Sequence, residues 1–176
     1  MKKVKSLKDL KVKKFVLCSL FIICCSLFGL LFASCMERKS YPIKPYIEFV
    51  GFEKIDNGTG IDNEGILTIS YTDGDGDLGN LDEKDTTTNY FIIYQEKQHG
   101  VYVTLEEFVE EFNASLPRFV SSDKKKQPID GTIQRKLIFN NPYSLFDTIR
   151  FECWLVDRAN HESNRIFTPE IVVKKR

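Results

Sequence analysis

Thr148-Ile149-Arg150-Phe151-Glu152-Cys153-Trp154-Leu155-Val156 is the stretch from which the fold can be read. Successive side chains of an extended chain point to opposite faces, so Ile149, Phe151, Cys153 and Leu155 share one face. Arg150, Glu152 and Trp154 share the other. One face suits a core and the other meets water. Weaker versions of this pattern recur at Tyr46 to Phe52, Gly65 to Thr72, Tyr90 to Gln95, Val101 to Val103, Gly131 to Phe139 and Arg165 to Val173. Turn residues separate them: Asp56 to Gly65, Lys97-Gln98-His99-Gly100, Asn140-Asn141-Pro142 and Asp157 to Asn164. Pro169 lacks a backbone donor and marks the last strand as an edge. About seven short strands with turns between them predict a mainly β fold, an antiparallel immunoglobulin-like β-sandwich. Leu105, Phe108, Val109 and Phe112 follow helical spacing and predict a small helical insert, with Thr104 and Glu107 as its capping box.

The second predicted strand runs into Asp73-Gly74-Asp75-Gly76-Asp77-Leu78-Gly79. Three alternating carboxylates repel one another unless a cation sits among them. Oxygen ligands at alternate positions are what Ca2+ takes in a tight loop. The EF-hand pattern is incomplete, because Lys84 stands where its bidentate Glu would be. The expectation is a calcium loop on a β scaffold, with Asp82, Glu83 and Asp85 as nearby candidates for further ligands. In a sandwich, the last hairpin loop lies at the same end, so Asp157, Asn160 or Glu162 is expected to approach. The bland alternative is a solvated Asp-Gly turn.

Seven of the chain's 25 Lys and Arg fall in the first 34 residues, against one of its 25 Asp and Glu. The remainder is therefore acidic, which argues against nucleic acid as a partner. Lys2 to Lys14 forms a basic region, Phe15 to Phe32 an apolar one, and Ala33-Ser34 a small-residue site before Cys35. That order describes a secretory signal; the run is also about long enough to span a bilayer, so an uncleaved membrane anchor is the competing reading. Phe32-Ala33-Ser34-Cys35 resembles the bacterial lipobox, whose Cys becomes the lipidated N-terminus. The domain reading is a signal over residues 1–34, a lipidated Cys35 with a tether over 35–45, and a β-sandwich over 46–176. Membrane attachment through lipid places the chain in the bacterial cell envelope, at the outer membrane. Cys18, Cys24 and Cys25 leave with the signal and Cys35 is consumed, so Cys153 is left as a buried free thiol.

Three motifs stand in order: the lipobox, Ser70 to Gly79 (SYTDGDGDLG), and Phe151 to Asn164 (FECWLVDRANHESN) followed by Thr168 to Ile171 (TPEI). Together they resemble uncharacterised Bacteroidetes-type lipoproteins with a DGDGD(I/L)G loop and a C-terminal DRAGNxSN-like hairpin. The resemblance implies a membrane-attached β-sandwich with no assigned catalysis, and a metal loop at Asp73, Asp75 and Asp77. Asn160 stands where Gly is usual and His161 where Asn is usual. Asn tolerates the left-handed conformation, so the turn can survive.

Two function classes follow. One is a non-catalytic binding or structural module, ordered by calcium, that meets a glycan or an envelope protein. Trp154 is its candidate ligand-binding residue, by stacking on a sugar; the competing reading packs it under the insert. The other is an envelope-associated hydrolase. Its ingredients are few: His99 and His161 both fall in predicted turns, and nucleophile-elbow, P-loop and HExxH motifs are absent.

Overall fold

The computed structural model describes residue 19 and residues 39–82, 84–119 and 127–175. The lipobox with Cys35, Glu83 and the run Lys124 to Lys126 lie outside them. Among the described residues, no helix is long and apolar enough to cross a membrane.

Among the described residues, eight strands form two antiparallel sheets. β1 (Tyr46–Ile55), β2 (Glu64–Asp73) and β5 (Ile129–Ile138) pair in the order β1-β2-β5. β3 (Tyr90–Gln98), β4 (Val101–Thr104), β6 (Thr148–Leu155) and β7 (Ile166–Phe167) pair in the order β4-β3-β6-β7, and β8 (Ile171–Val172) also pairs with β6. The fold is mainly β, as expected. β2, β3 and β6 alternate buried and half-buried positions along most of their length, which is the period-2 pattern of a one-sided core. The predicted last strand divides into β7 and β8 around Pro169, and both pair only with β6, at the sheet edge.

Phe151 sits at the centre of the core, fully buried. Tyr94 and Phe112 meet it edge-on, and Phe52 stacks on it at 5.9 Å between centroids. Offset and edge-to-face rings add to area burial. Phe52 reaches this position because the register of β1 shifts between Phe49 and Gly51, a bulge that leaves Val50 exposed. Cys153 is buried and its thiol is pushed up to about 12 by desolvation, so it behaves as a small hydrophobe.

The expected helical insert is reduced to one 3-10 turn, Glu106–Phe108. Thr104 does not cap it. It closes β4 opposite Gln95, and Leu105 takes the cap position without a side-chain bond. So short a segment cannot sustain a helix by itself. Its helical spacing serves packing instead: Phe108 and Phe112 both lie against Tyr94.

Between β3 and β4, His99 and Gly100 form a two-residue hairpin loop, both with positive φ, as the primed hairpin turns require.

Candidate metal centre

Asp73 ends β2 opposite Ile129 and is fully buried. Its Oδ2 accepts a hydrogen bond from the Leu78 amide at 3.0 Å, and its Oδ1 one from the Asp75 amide at 3.4 Å. The loop therefore curls back over its first carboxylate. Leu78, fully buried, plugs the loop into the core. The Gly74 amide donates to the Pro42 carbonyl at 2.8 Å, which fastens the loop to the segment preceding β1. Gly76 (φ +69°) lies against the Gln127 carbonyl, and Gly79 (φ +81°) against that of Pro117. A Cβ at either would strike backbone, and L side chains resist those angles.

These constraints bring one carboxylate oxygen from each of Asp73, Asp75 and Asp77 within 4.8 Å of one another. Oxygen ligands lie about 2.3–2.6 Å from Ca2+, so two ligands of one ion stand no more than about 5 Å apart. The cluster meets that limit. Asp77 is 6% exposed, and its Oδ1 is buried with no hydrogen-bond partner among the described residues. A buried carboxylate oxygen without a donor is costly unless a cation completes it. Desolvation pushes the Asp77 carboxyl up to about 6, with Asp157, Asp75 and Asp73 adding repulsion and Arg158 opposing it. Asp73 is also raised, chiefly by burial.

The terminal hairpin loop arrives at the same end, as the sandwich topology predicts. The Arg158 amide donates to the Asp77 carbonyl at 3.4 Å, and its Nη1 to the Gly79 carbonyl at 2.7 Å. Asp157, buried, faces Asp77 closely enough to raise its pKa. Its own oxygens are taken by His161: Oδ1 accepts the backbone amide and Oδ2 meets Nδ1, each at 2.8 Å. Asn160 has φ +65°, the left-handed turn that the sequence allows. Asn160 and Glu162 are exposed. Asp82 is exposed too, and its carboxylate accepts the Lys84 amide within a turn of its own.

Three residues that the sequence reading passed over hold this end together. Asn80 donates to the carbonyls of Asp85 and Thr87, both at 2.9 Å. Asn89 accepts the Leu116 amide at 2.7 Å and donates to Asn80 Oδ1 at 2.8 Å. Asn164 acts as a substitute strand, accepting the Ile47 amide and donating to the Ile47 carbonyl, each at 2.8 Å. It thereby ties the hairpin loop to β1.

Trp154 lies on the outer face of β6, half-buried. Its ring stacks on Phe91 at 4.9 Å with 3° between planes, and the Arg165 guanidinium lies 4.0 Å from it. We expect Trp154→Ala to cost about 1–2 kcal/mol, from the stack and the cation–π contact. Urea unfolding measures this. A change below a few tenths would mean that the stack contributes nothing.

Comparison of the chain with protein-family models, with curated proteins and with solved structures gave no match.

Proposed function

We propose that the chain is a lipid-anchored envelope lipoprotein whose β-sandwich is a non-catalytic binding or structural module ordered by Ca2+. The single observation that carries the calcium reading is the convergence of Asp73, Asp75 and Asp77, with Asp77 Oδ1 buried and without a hydrogen-bond partner among the described residues. Asp157 stands beside Asp77 as a further negative charge, while Asp82, bonded to the Lys84 amide in a turn of its own, has no contact among the described residues that supports the ligand role expected of it. The lipid anchor rests on Phe32-Ala33-Ser34-Cys35, and the membrane is the first partner on that reading. An envelope protein or a glycan is the second, with the outer-face pair of Phe91 and Trp154 as the surface that favours a sugar. The strand order β1-β2-β5 opposite β4-β3-β6-β7 favours an immunoglobulin-like arrangement. The order of motifs supports kinship with the Bacteroidetes-type lipoproteins described above.

The test is calcium calorimetry on residues 36–176, with Asp75→Asn as control. Saturable binding near one ion per chain that the variant loses supports the loop as the site. Absence of heat and of any thermal shift reduces it to an acidic turn, since a ligand that binds only the folded state must stabilise it.

A further inference from the structure

A second site lies at the other end of the sandwich. Asp73 pairs with Ile129 at one end of the β2–β5 ladder and Glu64 with Ile138 at the other, so the β5–β6 connection stands opposite the aspartate loop. This connection lifts Tyr143 and Leu145 into solvent, 94% and 89% exposed. Two large apolar side chains on one short ridge are unusual for a surface with no partner.

Beside the ridge lies a groove of about 590 Å3. Leu105, Phe108 and Phe146 give it apolar walls. Its charged lining is acidic, Glu96, Glu107 and Glu111, beside the neutral polar groups of Gln98, Asn141 and Ser144, with no cationic side chain among the described lining residues. Glu96 is fully buried on the core parity of β3, after Ile92 and Tyr94. Neutral donors hold it, the Tyr94 hydroxyl at 2.9 Å and the Ser144 hydroxyl at 2.7 Å. Lys175 approaches from behind the ridge and donates to the Ser144 carbonyl at 3.2 Å. Glu107 and Glu111 at the mouth are exposed, and no ion pair reaches them among the described residues.

We propose that this groove docks a protein segment that presents a basic side chain beside an apolar one. The apolar side chain lies on Leu145 and Tyr143, and the cation enters between Glu107 and Glu111. Charge complementarity selects this occupant, because a neutral or acidic segment covering the groove would take water from Glu107 and Glu111 without supplying a cation to replace it. Arg suits the role better than Lys, since its planar, weakly hydrated head meets carboxylates and aromatic rings at once.

The probe is capped leucyl-arginine amide, with leucyl-citrulline amide as its neutral isostere, titrated into the 15N-labelled chain. We expect shifts confined to residues near Glu96, Glu107 and Ser144 to Phe146, with citrulline binding about tenfold weaker because a charge-assisted pair is lost. The double variant Glu107→Gln and Glu111→Gln, at exposed positions, should erase that preference while its melting temperature stays unchanged. Leu145→Ser should weaken both peptides. Equal binding of the two peptides, or shifts elsewhere, overturns the proposal. So does a self-association in sedimentation, or a binding to anionic vesicles, that Leu145→Ser abolishes while the peptides show no preference.

Discussion

Without calcium at pH 7.5, Asp77→Asn should melt higher than the unaltered chain; with saturating calcium the order should reverse. The Asp77 carboxyl is shifted from 3.8 to about 6 in the folded state. The folded chain therefore binds this proton more tightly than the unfolded chain does. Its contribution is favourable below about pH 4, shrinks as pH rises through 6, and above that leaves a penalty. The shift corresponds to about 3 kcal/mol, and about 2 kcal/mol after allowance for screening by solvent. Asn keeps the shape and removes the charge, so the metal-free variant should gain roughly 6 °C. At pH 5 about half of that gain should remain, because the carboxyl of the unfolded chain is still ionised there, and it should vanish only below about pH 4. Calcium changes the sign. At a hundred times its dissociation constant a ligand stabilises by about 2.7 kcal/mol, and the variant forfeits a charged oxygen at the ion. Thermal melts in EDTA and in calcium at the two pH values check every arm. If Asp77→Asn melts lower in EDTA at pH 7.5, burial and repulsion do not strain this carboxyl. If calcium lifts both proteins equally, the ion binds elsewhere.

This sign reversal would separate a metal site from a merely acidic turn more sharply than binding heat alone. In a solvated turn the carboxylates keep apart, and removing one has little effect. Here Asp73 and Asp77 are both buried, and the fold pins them before any ion arrives. The pins are Leu78 in the core, the Gly74 amide on Pro42 and Arg158 on the Gly79 carbonyl. A preformed site needs little ordering on binding, so more of the ion's attraction appears as affinity.

The sheet strands were legible because burial on one face imprints period 2 on the sequence, and β6 carries that imprint most cleanly. The aspartate cluster was legible because its ligands are local, at i, i+2 and i+4. Glu96 carried a readable signal as well: it holds the same parity as Ile92 and Tyr94, so a carboxylate was due on the core face. Asn80, Asn89, Arg158 and Asn164 carried none. Asn89, Arg158 and Asn164 bond to backbone 27, 79 and 117 positions away, and Asn80, whose backbone partners lie only five and seven residues on, closes an irregular loop that has no period to read. An asparagine in a loop reads as a turn former, and nothing local distinguishes one that staples two elements. The insert misled for the opposite reason. Phe108 and Phe112 do share a face, but the face is a packing surface laid on Tyr94, and about two turns of helix are not needed to make it.

Asn89→Ala should cost about 3 kcal/mol, the second large effect. Asn89 is 6% exposed and stands where the long loop after Asp73 rejoins the sheet. Its Oδ1 accepts the Leu116 amide at 2.7 Å, and its Nδ2 donates to Asn80 Oδ1 at 2.8 Å and toward the Leu116 carbonyl at 3.3 Å. Alanine removes all three bonds and leaves the buried Leu116 amide and Asn80 Oδ1 without this partner. Each buried group so stranded costs roughly 1–3 kcal/mol. The melting temperature should fall by about 10 °C. Thr88→Ala, at an exposed neighbour, should stay within about 0.5 kcal/mol. The loss should also reach the metal end. With its far anchor gone, the loop from Asp73 to Asn89 must be ordered by the ion itself, so calcium should bind more weakly even where the variant is fully folded. Hydrogen exchange at the Leu116 amide and calcium calorimetry at low temperature measure the two effects separately. If exchange quickens while calcium affinity holds, then Gly74, Leu78 and Arg158 suffice to shape the site, and Asn89 serves the sandwich alone.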